Sequence, residues 1–238
     1  MRNLFYLDPI LLNLEAYTVN VFGCGGTGSH LIDKLAVVAH ALRETTGKRM
    51  NLTAYDFDTV SERNVGRSDF IIGDTDLEKT RVAISKANLS YGLNWRARSG
   101  DAGFNKAHFT FICTDSAKSR AGIMMATEGY SRCAEPDERP YYIFDVGNDK
   151  DFGQIALFDL EGTLSDLDRP GATSESVGTV TCGERPLYAE QGLFINQMMA
   201  VLTAEMFWSF VSMLNLDYNQ LFVNLGIMKI VTKLEWKK

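Results

Sequence analysis

The sequence predicts an α/β fold, a doubly wound domain built around a mainly parallel sheet with a C-terminal antiparallel extension. Two observations carry this expectation. Between Tyr17 and Val146, apolar runs of strand length alternate with helix-length stretches of apolar period, the pattern of parallel strands joined by crossover helices. A glycine cluster, Gly23-Cys24-Gly25-Gly26-Thr27-Gly28, separates the first run from the first helix. That is where a chain turns sharply at the carboxyl end of a strand.

Tyr17 to Phe22 reads as the first strand, and a helix follows from about Thr27 to Leu42. Asn51 to Tyr55 reads as a strand ending in Asp56. Leu77 to Tyr91 reads as a helix, with Val82, Ile84 and Leu89 among its apolar positions. Trp95 to Ser99 and Phe109 to Thr114 read as strands, the second ending in Asp115. A helix from Ala117 to Cys133 and a strand from Tyr141 to Val146 complete a Rossmann-like order with right-handed crossovers.

The pattern changes after Gly147. Gln154 to Leu160 reads as a further strand. Glu161 to Pro186 carries four glycines and two prolines without any period. Its 26 residues exceed the usual upper range of about 12–15 for a loop, and such loops are often functional or disordered. Leu187 to Leu214 reads as one long helix, apolar nearly all round and so buried. Leu221 to Leu225 and Met228 to Leu234 read as a closing hairpin. With no repeat and no clear linker, residues 1–238 form one expected domain, 17–150 being its nucleotide-binding core and 151–238 the crossover loop, long helix and last strands.

Composition excludes several classes. Lysine and arginine number 24 against 30 aspartates and glutamates, a net charge of −6, which lacks the basic footprint of a nucleic-acid binder. Leu193 to Leu214 contains Asn196, Gln197 and Glu205. A charge near a bilayer centre costs about 2.5–3.5 kcal/mol, so a core or interface helix is expected rather than a membrane span. The apolar N-terminus is broken by Asp8 and Pro9, unlike a secretory signal. The cysteines (24, 113, 133, 182) form no C-x-x-C pair, and His30, His40 and His108 have no ligand spacing. No zinc and a reducing, cytoplasmic location are the expectations.

The glycine cluster opens a helix. Glycines let the main chain approach a phosphate, and the helix terminus adds free N–H groups and partial positive charge. It is not a phosphate loop of the G-x₄-G-K-[ST] kind, because Ser29-His30 stand where the lysine and hydroxyl belong. Asp56 ends the second strand, where a carboxylate can bond ribose hydroxyls, although it lies 28 residues after Gly28 rather than the usual ~20. Asn64 and Arg67 follow, and three-residue spacing places them on one face if the segment is helical. Lys79 begins the next helix, and Asp115 ends a later strand. At the carboxyl ends of parallel strands these groups converge above the glycine turn. Two cations, an amide and a carboxylate suit a triphosphate with Mg²⁺; a pyrophosphate bridged to nicotinamide has no need of them.

Gly23-x-Gly25-Gly26-x-Gly28, Asp56-x-Asp58-x-Val60, Asn64-x-x-Arg67, Lys79 and Cys113-Thr114-Asp115 together resemble the ThiF/MoeB/HesA superfamily, the fold of ubiquitin-activating enzymes. Within it the chain looks most like the ThiF-related proteins of plasmid PRTRC cassettes. The resemblance implies that Asp56 holds the ATP ribose, that Asn64, Arg67 and Lys79 contact the phosphates, that Asp115 holds Mg²⁺, and that Asp58 joins the nucleotide-binding set. It implies adenylation of the C-terminal carboxylate of a small ubiquitin-like or sulfur-carrier protein ending in glycine, and a homodimer. Cys182 lies in the long loop shortly before Pro186. A cysteine near a helix start can be nucleophilic, and the resemblance implies a thioester there. The chain departs from the family in lacking paired C-x-x-C motifs and an early Arg-Tyr-x-Arg-Gln segment, and in carrying Ser116 where asparagine is common.

Three alternatives use the same residues. An NAD- or FAD-dependent oxidoreductase accounts for the glycines and Asp56 but leaves Asn64, Arg67, Lys79 and Asp115 unassigned. The same fold also serves activation of a peptide carboxylate, or dehydration of a modified adenosine in tRNA, which the negative charge disfavours. A regulatory nucleotide-binding protein without turnover is the third.

Overall fold

The computed structural model describes residues 4–99, 106–133, 135, 139, 141–160 and 192–234. The chain opens with strand β1 (Phe5–Tyr6) and a one-turn helix α1 (Pro9–Leu12). Pro9 opens that turn, and the Asp8 carboxylate caps it by accepting the Ile10 N–H at 2.7 Å. The main fold then runs β2 (Ala16–Phe22), α2 (Gly26–Thr46), β3 (Arg49–Tyr55), α3 (Lys79–Tyr91), β4 (Arg96–Arg98), β5 (Phe109–Ile112), α4 (Ala117–Cys133) and β6 (Tyr142–Asn148). It closes with β7 (Phe152–Asp159), α5 (Ile195–Met213), β8 (Asn215–Leu216), β9 (Gln220–Asn224) and β10 (Lys229–Lys233).

One eight-stranded sheet has the order β10-β9-β7-β6-β5-β2-β3-β4. Pairs among β4, β3, β2, β5 and β6 are parallel, and β7, β9 and β10 add antiparallel to β6 in turn. This is the expected doubly wound sheet with its antiparallel extension. Chain order reverses at β2, which lies between β3 and β5. The switch point therefore falls between the carboxyl ends of β2 and β5, where ligands bind in open α/β sheets.

Both faces of the sheet are covered. α2 packs against α3 and α5, and with the sheet they enclose the larger core, including Leu31, Leu35, Phe109, Phe207 and Phe210. On the other face Ile123 and Met124 of α4 pack with Phe22, Tyr55, Ile112 and Ile143. The sequence alternation explains this split: Val21 belongs to the first core and its neighbour Phe22 to the second.

The structure corrects several boundaries. α2 runs on to Thr46 and stops at Gly47, whose φ of +75° provides the left-handed cap. The long C-terminal helix begins at Ile195, not Leu187: residues 192–194 are described and not helical. The Gly192 N–H donates to the Lys150 carbonyl at 2.6 Å, and a Cβ at Gly192 would lie 2.5 Å from an Asp151 carboxylate oxygen. That clamp turns the chain before α5 can start, and apolar period alone does not show it. The β1–β8 pair is also new, a two-residue bridge between distant segments. Among the described residues no helix is long and apolar enough to cross a membrane. The loop expected at 161–186 lies outside the described residues.

Candidate active site

The site is assembled at the switch point from the glycine turn, the β3–α3 connection and the segment after β5. Three of the turn's glycines are bare because protein atoms lie against them. Gly23 has φ +89°, and a Cβ there would sit 2.9 Å from the Cys113 carbonyl carbon. A Cβ at Gly28 would fall 1.8 Å from the Gly23 carbonyl oxygen, so strand and helix could not meet there. A Cβ at Gly26 would meet the Asn196 amide at 2.6–2.8 Å. Gly25, the residue before α2, has nothing within 4 Å of a built Cβ. It is the glycine of the four whose α-carbon faces open space beside the first N–H groups of α2.

The β3–α3 connection leaves the sheet at Asp56 and returns at Lys79. Its two ends are laced together: Val60 N–H donates to the Leu77 carbonyl at 2.8 Å, Asp76 N–H to the Val60 carbonyl at 2.9 Å, and Lys79 N–H to the Asp58 carbonyl at 3.1 Å. Residues 21 apart in sequence thereby meet, and the Lys79 ammonium lies 2.7 Å from an Asp58 carboxylate oxygen. The Lys79 side chain is 10% exposed and that of Asp58 70%, so the cation sits in the wall while its partner carboxylate faces solvent. Asp56 is bound from both sides, accepting the Cys24 N–H at 2.5 Å and the Asp58 N–H at 2.8 Å. One carboxylate thus fastens the glycine turn to the end of β3.

Asn64 and Arg67 do not share a helix face. Glu62–Asn64 is a single 3₁₀ turn that ends before Arg67. The Asn64 Oδ1 turns back to accept the Ser61 N–H at 2.9 Å, so that oxygen serves as a cap. Arg67 lies beyond a bend at Gly66, which has φ +88°. Its Nε is buried and has no hydrogen-bond partner among the described residues, as is true of Thr80 Oγ1 beside Lys79 and Thr114 Oγ1 beside Asp115. Buried donors are rarely left unsatisfied, so these three atoms stand out among the polar groups around the turn.

Asp115 is exposed in the bend before α4. The cap there is Ser116, whose Oγ accepts the Ser119 N–H at 3.2 Å, which leaves the Asp115 carboxylate outside the capping interaction. Among the described residues no three His, Cys, Asp or Glu side chains gather into a metal-holding group. A lone carboxylate suits Mg²⁺ when phosphate oxygens supply other ligands. One turn into α4, Arg120 forms an ion pair with Asp145 of β6 and donates to the Val146 carbonyl at 2.7 Å. Burial pushes the Asp145 carboxyl up, against the pull of the Arg120 guanidinium. The sequence does not single out this pair; the available signal is the place of Arg120 in the first turn of the helix that follows β5.

Cys24 and Cys113 are thiols of the turn's floor. Burial, then the Asp56 carboxylate, pushes Cys24 well above the ordinary thiol value. Burial pushes Cys113 up to about 12. Neither is a thiolate at neutral pH, consistent with a packing role. Cys182 lies outside the described residues.

No protein-family model matches the chain, and no curated protein matches it in sequence. Solved structures do match in fold. E. coli MccB with succinimide is 15% identical with a TM-score of 0.68 over 96% of this chain and 65% of MccB. E. coli MccB with ATP is 15% identical with a TM-score of 0.67 over 94% of this chain and 66% of MccB. PaaA is 16% identical with a TM-score of 0.65 over 96% of this chain and 66% of its own. The chain thus spans just under two-thirds of these proteins, and at this identity the likeness is one of fold.

Proposed function

We propose that this protein is an ATP-dependent adenylyltransferase of the ThiF/MoeB/HesA type, acting on the C-terminal carboxylate of a small protein or peptide. The observation that supports the proposal is the meeting, at the carboxyl edge of the sheet, of the glycine turn, the β3–α3 connection that carries Arg67 and Lys79, and the segment after β5 that carries Asp115. Structures of the same fold support it: MccB has been solved with ATP, and with AMPCPP together with MccA. A small ubiquitin-like or sulfur-carrier protein ending in glycine is the partner we favour, because the sequence resemblance points there.

ATP is the substrate that supplies the reactive α-phosphorus; a carboxylate oxygen bonds to it as the bond to pyrophosphate breaks. A terminal carboxylate has a pKa of about 3.3–3.7 and is already ionised at pH 7, so no general base is needed. What the reaction needs is suppression of repulsion between two anions, and that is positioning and electrostatics. Lys79 and Arg67 supply the positive charge. Lys79 meets Asp58 within the protein, so phosphate binding exchanges one anionic partner for another. The Asp56 oxygens, fixed by the Cys24 and Asp58 N–H groups, are oriented to accept ribose hydroxyls. Asp115 would hold Mg²⁺ jointly with phosphate oxygens. Phe57, 71% exposed between the two aspartates in sequence, is free of the core and available to stack on the base.

The test is ATP–pyrophosphate exchange by the full chain with candidate small proteins ending in glycine. Exchange that requires both Mg²⁺ and the partner's intact C-terminus is expected. Protection against melting by NAD but not by Mg-ATP would overturn the proposal in favour of an oxidoreductase. A thioester on Cys182 belongs to the same reading: the thiolate attacks the acyl-adenylate, a C–S bond forms and AMP leaves. Cys182→Ser should then lose any reducible adduct with the partner.

A further inference from the structure

The glycine turn is braced by a side chain from far along the chain. Asn196, 3% exposed, stands in the first turn of α5 with its amide against Gly26. Its Oδ1 accepts from Asn148 Nδ2 at 3.0 Å, and its Nδ2 donates to the Arg67 carbonyl at 3.3 Å. The Thr27 hydroxyl proton is shared between Asn148 Oδ1 at 2.9 Å and Asn196 Oδ1 at 3.2 Å. Both ends of one buried amide are therefore used, one toward the start of α2 and one toward the main chain of Arg67. One turn further along α5, Met199 makes a similar demand on β7, for a Cβ at Gly153 would fall 2.2 Å from its sulfur. Successive turns of α5 thus rest on two bare α-carbons, one on each neighbouring element.

We propose that position 26 is glycine in order to admit Asn196, and that Asn196 is a positioning residue fixing the Arg67 main chain relative to the glycine turn. The packing half of this stands by itself; the consequence for Arg67 rests on the nucleotide-binding reading above. The common reading of such a glycine, close approach of a phosphate, is here assigned to Gly25.

The experiment is a double-mutant cycle on the full chain, with Gly26→Ala, Asn196→Ala and the pair read by melting temperature and by Mg-ATP affinity. Gly26→Ala alone should melt about 5 °C or more below the parent, the scale of overpacking in a chain of this size. Asn196→Ala should weaken Mg-ATP about fivefold, the scale of one lost buried hydrogen bond. Added to Asn196→Ala, Gly26→Ala should cost under about 1 °C and under about twofold in affinity, because the clashing amide is gone. Equal losses in both backgrounds would overturn the packing claim. Should Gly26→Ala fail to fold, the pair decides: folding like Asn196→Ala supports the claim, and failure to fold overturns it. In an Arg67→Ala background, Asn196→Ala should add less than about twofold in affinity; an undiminished fivefold loss would reduce Asn196 to a packing residue. If the parent itself does not bind Mg-ATP, the nucleotide reading falls and the melting cycle alone judges the packing.

Discussion

The glycine turn and the β3–α3 connection lie side by side at the carboxyl edge of the sheet, and they are built on opposite terms. In the turn, side chains are missing so that protein can touch protein: the main chain just after β5 against Gly23, Gly23 against Gly28, Asn196 against Gly26. In the connection, side chains are placed: Asp56 under the turn, Lys79 against Asp58, Arg67 with an unpaired Nε. The two regions are also tied together. Ser29 Oγ donates to the Gly25 carbonyl at 2.7 Å and accepts the Asp69 N–H at 2.9 Å. The spacing of glycines therefore reports mostly how a strand, a helix and α5 meet, and the proposed chemistry falls to the neighbour.

If that division is right, substitutions in the two regions should fail differently. Lys79→Ala and Arg67→Ala should each lower ATP–pyrophosphate exchange about 10²–10³-fold, the loss of one preorganised stabilising group. Lys79→Ala removes a largely buried stem but strands no buried charge, since Asp58 is 70% exposed, so it should cost about 1 kcal/mol of unfolding free energy. Near-normal exchange by both variants would dissolve the comparison. Gly28→Ala should do the reverse, destabilising the chain by about 1–3 kcal/mol or more in a urea titration, because its Cβ overlaps a main-chain oxygen at 1.8 Å. Gly25→Ala has room for its methyl, so it should cost less than about 1 kcal/mol and show its effect in Mg-ATP affinity instead. A Gly25→Ala variant as unstable as Gly28→Ala would show that the open space at position 25 has been misjudged.

The smallest effect concerns His30, on α2 behind the connection. Burial lowers its pKa below the ordinary 6.5, against the upward pull of the Asp69 carboxylate and of a bond to the Arg67 backbone, while Lys34 lowers it and Asp33 raises it further. Its Nε2 is buried without a partner among the described residues. As pH falls through 6.5, the unfolded chain takes up this proton first, so stability should drop with falling pH until the folded value is passed. The slope cannot exceed about 1.4 kcal/mol per pH unit for one proton, and His30→Gln should flatten it in denaturation series between about pH 7 and 5. Asp69 is shifted upward by burial and acts in the opposite sense, gaining stability on protonation as pH falls toward the carboxylate range. A parent and variant with the same slope would remove His30 as the source of this pH dependence.

The parallel half of the fold was legible because its strands are short apolar runs buried largely on both faces and its helices have an apolar period, with a glycine stop at Gly92; the stop at Gly47 lies past the expected end at Leu42. The carboxyl-end positions of Asp56 and Asp115 followed from the same pattern. What escaped were features fixed by distant contacts. The start of α5 depends on Gly192 meeting Lys150. The β1–β8 bridge joins Phe5 to Leu216. The Arg120–Asp145 pair and the Asn148–Asn196 contact join residues whose types are common on any surface. Asn64 misled by spacing, since i,i+3 implies a shared face only inside a helix, and here one 3₁₀ turn ends too soon.

The outermost strand, β10, bears on how copies of the molecule treat one another. All five of its residues are exposed, and Ile230 and Val231 lie between Lys229 and Lys233. A second copy laid antiparallel against that margin and centred on Val231 would set Lys229 across from the other copy's Lys233 at both ends. Like charges directly opposed weaken such pairing, and terminal lysines are a recurrent guard on open sheet margins. Among the described residues this margin ends the sheet, and a rim of this composition is expected to disfavour ribbon-like growth from molecule to molecule.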